Sequence, residues 1–179
     1  MKRSLVLLLF FALASAAHAQ YVALGAGGVF NRGSVSSNEI TTPGIIAVEG
    51  GLPISKLLDG AVHYSFANPR IQQDSRYAPQ DLPTHTLTFD ARIHTPQLSG
   101  WRVFGLAGVG FAHFSSPGTS AVGPFSRTQP VFDYGGGVER KIAGPFKVRA
   151  EVRDYFTSAF YTGSSWNRIA VTGSLVFGK

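Results

Sequence analysis

No cysteine occurs anywhere in the chain, which excludes a disulfide framework and thiolate metal sites. Beyond residue 19 no apolar run approaches the ~18 residues that a spanning helix requires. Any passage through a membrane must therefore use a closed barrel of strands. Concentrated positive charge is missing as well, since no basic cluster exceeds the Arg140-Lys141 pair, and nucleic acid is not expected as a partner. No stretch competes as a helix. The Gly-rich runs lack the helix and the Lys-Ser/Thr that a phosphate loop needs, and His85, His94 and His113 are scattered without an acid at i, i+4. No metal or other cofactor is expected.

What is present begins with an address. Lys2 and Arg3 form a basic start, Leu5 to Ala14 an apolar run, and Ala17-His18-Ala19 a small-x-small cleavage site before Gln20. This pattern predicts a signal peptide over residues 1–19 and a single barrel domain over residues 20–179. Without Lys2 and Arg3, fourteen basic side chains remain against ten acidic ones, so the formal charge falls from +6 to +4.

The rest of the chain alternates with period two. In FKVRAEVRDYF, Phe146, Val148, Ala150 and Val152 point one way while Lys147, Arg149, Glu151 and Arg153 point the other. In VFDYGGGVER, Phe132, Tyr134, Gly136 and Val138 alternate with Val131, Asp133, Gly135, Gly137 and Glu139, and a Gly-Pro turn joins the two arms into a hairpin. Six further segments alternate similarly: Tyr21 to Phe30, Gly44 to Leu52, Leu58 to Ala67, Thr84 to His94, Trp101 to Phe114 and Trp166 to Phe177. That makes eight strands. Long polar links are expected at Asn31 to Thr42, Asn68 to Pro83, Ser115 to Gln129 and Thr157 to Ser165. Between them lie short turns of about five or six residues, including Pro53 to Leu57 and Thr95 to Gly100. Strict alternation of long and short links is the layout of an up-and-down membrane barrel.

Alternation alone does not separate a membrane barrel from a soluble lipocalin-like carrier, which would bury the same apolar face. Loop asymmetry favours lipid outside, as do strand glycines and aromatics near strand ends at Trp101, Phe111, Phe132, Phe156, Trp166 and Phe177. The expected fold class is therefore all-β: an eight-stranded antiparallel up-and-down transmembrane β-barrel with a side-chain-filled polar lumen. Inward positions then hold Glu49, Asp90, Asp133, Glu139 and Glu151 against Arg92, Arg102, Lys147, Arg149, Arg153 and Arg168. Charges removed from bulk water must be paired, and eight strands leave room only for side chains. A plugging salt-bridge network, with no large pore, is expected.

Three stretches carry a resemblance. Gly135-Gly136-Gly137-Val138-Glu139, the run Val148-Arg149-Ala150-Glu151-Val152-Arg153-Asp154-Tyr155, and a last strand ending Leu175-Val176-Phe177 resemble the eight-stranded outer-membrane β-barrel proteins. They are similar to the transmembrane domain of outer-membrane protein A. The layout covers the whole chain after residue 19, the motifs only its last third. Such members often end on a terminal aromatic, whereas here Gly178 and Lys179 follow Phe177, and no peptidoglycan-binding domain is expected. The resemblance implies the outer membrane of a Gram-negative (diderm) bacterium, contact with outer-membrane lipid and lipopolysaccharide, delivery by the barrel assembly machinery, and a monomer.

The function this favours is a non-enzymatic integral membrane protein with a structural or surface-interaction role, its loops contacting a ligand outside. One rival is a lipid A modifying enzyme, since His63-Tyr64-Ser65 resembles the His-x-Ser motif of lipid A deacylases, with Asp74 or Asp90 as third member. Parity places His63 and Ser65 in the lumen, away from lipid. Another rival is a narrow ion channel in which Arg149, Arg153 and Arg168 favour anions.

Overall fold

The computed structural model describes residues 20–32, 39–40, 43–72, 80–116, 118, 124–158 and 165–178. The leader expected at residues 1–19 lies outside them, as does Asp74. The described residues form strands and no helix: β1 (Tyr21–Arg32), β2 (Glu39–Ile40), β3 (Gly44–Pro53), β4 (Leu58–Ala67), β5 (Arg70–Gln72), β6 (Gln80–Asp81), β7 (Thr84–His94), β8 (Trp101–Ser116), β9 (Phe125–Ala143), β10 (Phe146–Ser158) and β11 (Ser165–Gly178). Eight of them close into a barrel in the order β1-β11-β10-β9-β8-β7-β4-β3, and β3 returns to β1 through pairs running from Tyr21↔Gly51 to Gly28↔Gly44.

Period-two chemistry sets which face turns inward. Along β7, Thr84, Thr86, Thr88, Asp90, Arg92 and His94 are buried, whereas Phe89, Ala91 and Ile93 are exposed. A slip of one residue would send Asp90 and Arg92 into the outer surface, so the register is strongly specified. The same inversion holds around the barrel: Ile46, Phe89, Ile93, Val109 and Leu175 are half or more exposed, while Glu49, Asp133, Glu139, Arg149, Glu151 and Arg153 are less than a tenth exposed. A soluble barrel would do the reverse. Only a hydrocarbon solvent makes this arrangement favourable.

The belt has membrane dimensions. Trp101 and Phe111, both exposed on β8, are about ten residue steps apart, ~33 Å along a strand and ~25 Å high at the usual tilt, the height of the apolar band in such barrels. Rings mark both edges. Phe146 and Phe177 pack at 5.3 Å between centroids at the short-turn end, the end at which Trp101 opens β8 under the Arg140 guanidinium. Phe30, Phe111, Phe132 and Phe156 stand exposed at the other.

Loop boundaries differ from those read in the sequence. The stretches Asn31 to Thr42 and Asn68 to Pro83 contain β2, β5 and β6, which form a separate three-stranded sheet at the long-loop end, where Arg70 Nε meets Asp81 Oδ1 at 3.0 Å. Within Ser115 to Gln129, Ser115, Ser116 and Phe125 to Gln129 belong to the hairpin, because β8 and β9 stay paired up to Ser116↔Phe125. Above the lipid edge both faces meet water, so the ladder continues while the apolar alternation that would signal it disappears. The third short turn is only Gly144-Pro145, with Gly144 at a positive φ of 53° that a side chain would strain.

The interior is layered. Charged groups occupy its middle, and toward the long-loop end Val29, Ile45, Leu82, Phe114, Val131 and Tyr155 belong to a buried apolar cluster. Leu82 reaches it from the link between β6 and β7, where its N–H donates to the Pro69 carbonyl at 2.9 Å.

Candidate functional site

The charged layer is built around two hubs. Arg153, on β10, donates from Nη1 to Asp90 Oδ2 at 2.6 Å and to Asp133, and from Nε to Glu151 Oε1 at 2.9 Å. Asp90 and Asp133 reach it from β7 and β9, where both stand in register with Gly108 between them. A side chain at Gly108 would collide with both carboxylates. Glycine is what lets two acids share one guanidinium.

Glu49, on β3, is the second hub. Arg92 Nη2 lies 2.7 Å from both its oxygens, Arg149 Nη1 donates to Oε1 at 2.8 Å, and Arg153 Nη2 stands 3.5 Å from Oε2. Arg149 also donates to Glu139 Oε2 at 3.0 Å, and Arg92 lies 3.5 Å from Glu151. The structure thus brings together all five acids with Arg92, Arg149 and Arg153. Lys147 stands at the margin, 3.5 Å from Glu139. Arg102 is half-buried at the short-turn mouth and makes no ion pair among the described residues. Arg168 sits higher, buried, over the rings of Phe114 and Tyr155 at 5.3 and 5.4 Å, with Nη2 donating to Thr86 Oγ1 at 3.4 Å.

Several members are not charged and escaped the sequence reading. The Tyr21 hydroxyl donates to Glu49 at 3.1 Å and accepts from Arg92 at 3.0 Å. Phe104 is buried under the Arg92 and Arg149 guanidinium groups, at 4.6 and 5.4 Å. Tyr155 shares parity with Arg149, Glu151 and Arg153, a signal that was available. At the short-turn end a vestibule of about 260 Å³ opens, lined by Lys56, Asp59, His94, Arg102, Glu139 and Lys147 among others. There His94 Nε2 lies 3.3 Å from Asp59.

Other chemistries fit this layer poorly. Glu49, His63 and Asp90 bring donor atoms within 4.8 Å of one another, yet the Glu49 carboxylate already receives Arg92 and Arg149, whose positive charge opposes a cation there. His63 Nε2 and Ser65 Oγ both turn to the Tyr155 hydroxyl, at 3.0 and 3.4 Å, and both are buried in the lumen. A hydroxyl held so cannot meet a lipid ester outside the wall. His85 and His113 face outward near the long-loop end, away from this layer.

No protein-family model and no curated protein matches the chain. Solved structures do. Neisserial surface protein A matches with a TM-score of 0.72 at 14% identity, over 89% of this chain and 96% of that one. This chain has the fold of an outer-membrane β-barrel. The outer-membrane protein OprG of Pseudomonas aeruginosa aligns at a TM-score of 0.59 and 8% identity, over 90% of this chain and 97% of that one. Ail, the attachment invasion locus protein of Yersinia pestis, gives 0.54 and 14%, over 88% and 97%. The resemblance read from the GGGVE and VRAEVRDY segments therefore holds at the level of fold. With the apolar belt outside and the charges inside, an outer-membrane barrel is also what the physics of the two faces requires.

Proposed function

We propose that this outer-membrane barrel is a non-enzymatic, monomeric envelope protein with no open pore, delivered by the barrel assembly machinery. Its wall serves as a scaffold for a surface platform at the long-loop end. The observation that carries this reading is the Arg153 hub: one guanidinium bridging Asp90, Asp133 and Glu151 on three strands supports a lumen plugged at its middle. The buried apolar cluster around Phe114 and Leu82 supports the same reading. Hydrated ions would have to break charge-assisted bonds in a layer without bulk water.

The platform is supported by the β2-β5-β6 sheet and by the β8-β9 extension, which give the exposed end a built surface. Ail, a structural neighbour, was solved in complex with the heparin analogue sucrose octasulfate. An anionic glycan is a reasonable first ligand to test here.

Conductance in planar bilayers is the deciding experiment. The wild-type barrel is expected to be silent, and Arg153→Ala to give brief openings because three carboxylates are left to draw water. Steady, uniform openings of the wild type, abolished in Arg149→Ala and Arg153→Ala, would replace the scaffold by an anion channel.

A further inference from the structure

The outer wall carries a feature that neither the scaffold nor the plug uses. On β7, β8, β9 and β10, at the upper edge of the belt, Phe89, Phe111, Phe132 and Phe156 surround the smaller Val109 and leave an apolar groove of about 570 Å³ that also touches Pro130. Pro130 stands just past the last β9–β10 pair among the described residues, Thr157↔Val131. The next outward-facing row toward the loops is polar. There His85, His113 and Thr128 stand opposite one another on β7, β8 and β9. His113 Nδ1 lies 2.9 Å from Thr128 Oγ1 and its Nε2 3.3 Å from Ser126 Oγ, while Tyr64 hydrogen-bonds His85 Nδ1 at 2.7 Å. Two imidazoles and three hydroxyls form a ledge directly above an acyl-sized slot.

We propose that this groove and ledge form a binding site for a single lipopolysaccharide molecule, one acyl chain of its lipid A lying against Val109 and its phosphorylated sugar headgroup meeting His85, His113, Ser126 and Thr128. The position within the membrane selects hydrocarbon as the occupant of the slot. The ledge selects the headgroup. The long-loop end faces outward in barrels of this layout, so the lipid reaching it comes from the outer leaflet, and a sugar-phosphate headgroup offers more hydrogen-bonding partners to imidazole and hydroxyl than a phosphoethanolamine does. The proposal rests on the membrane reading of the barrel.

Native mass spectrometry of the detergent-purified barrel tests it, with hexa-acylated lipid A as the probe and palmitoyl-oleoyl phosphatidylethanolamine as the comparison. The expected result is one retained lipid A, with phosphatidylethanolamine held at least ~10-fold more weakly. Val109→Trp, which fills the slot, is expected to lower retention ~10-fold or more, and the double variant Ser126→Ala/Thr128→Ala by roughly five-fold for each hydrogen bond lost. Equal retention by either variant, or equal retention of the two lipids, overturns the site. Heat-dependent gel mobility is read on the same samples: a wild type without the shift refutes the barrel itself, whereas intact shifts with unselective retention refute only the lipid site.

Discussion

At the scale of single residues, the lumen separates side chains whose removal is costly from those whose removal is not. Arg153→Ala strands Asp90, Asp133 and Glu151, all buried, and a broken buried ion pair costs about 3–5 kcal/mol. Arg102→Ala, at the mouth and without an ion pair among the described residues, is expected to shift stability by no more than ~0.5 kcal/mol. Urea unfolding in lipid vesicles, followed by tryptophan fluorescence, measures both, and similar losses would show that the network is not what holds the wall. Gly108→Val is expected to block assembly, since its Cβ would strike both aspartates and the Phe89 carbonyl. Gly173→Ala, with open space where its Cβ would stand, is expected to fold as wild type does. The yield of the heat-modifiable gel band on refolding reports the contrast.

At the scale of elements, β10 holds a charge on its wrong face. Asp154 has the parity of Val152 and Phe156, outward in the belt, and is held by the Tyr134 hydroxyl at 2.9 Å. A carboxylate there is expensive. Tyr134→Phe is expected to destabilise by about 1–3 kcal/mol, the cost of an unsatisfied polar group, and Asp154→Leu to raise the urea midpoint; a lower midpoint in the second would mean that Asp154 has another partner. This residue also marks what the sequence could tell. Which face a side chain takes was legible, because Phe146 to Arg153 alternate without exception and a strand has only two faces. Partners were not legible. Whether Arg153 meets Asp90 or Glu139 depends on the stagger among β7, β9 and β10, which no single strand encodes. Nor were the inward aromatics Phe104 and Tyr21, since in a Gly-rich strand with small residues on both sides an apolar ring is equally at home facing lipid or lumen. The β2, β5 and β6 strands were hidden for a different reason: two or three residues are too few to display a period.

At the scale of the whole molecule, the barrel resists denaturation as a unit, because each strand is paired on both sides and opening it would expose a raw edge to hydrocarbon. Unboiled protein on SDS gels is therefore expected to run faster than boiled protein; a single band in both lanes, together with solubility in the absence of detergent, would refute the membrane assignment. The seam between β1 and β11 has a further effect, on timing. It joins Tyr21 to Gly178 and Arg32 to Asn167, residues ~135 to 157 positions apart, whereas every other pair of neighbours in the wall is joined through one intervening turn or loop. Loop-closure entropy makes such distant pairing the slowest kind. The hairpins can zip early, and the ring waits on one event at a glycine-rich margin, where a Cβ at Gly27 would press into the Val171 backbone. Gly27→Val should therefore lengthen the life of an open, half-inserted curl of strands far more than an equally disruptive change inside the β9–β10 hairpin, and that interval, rather than the finished barrel, is when the chain is most exposed to proteolysis.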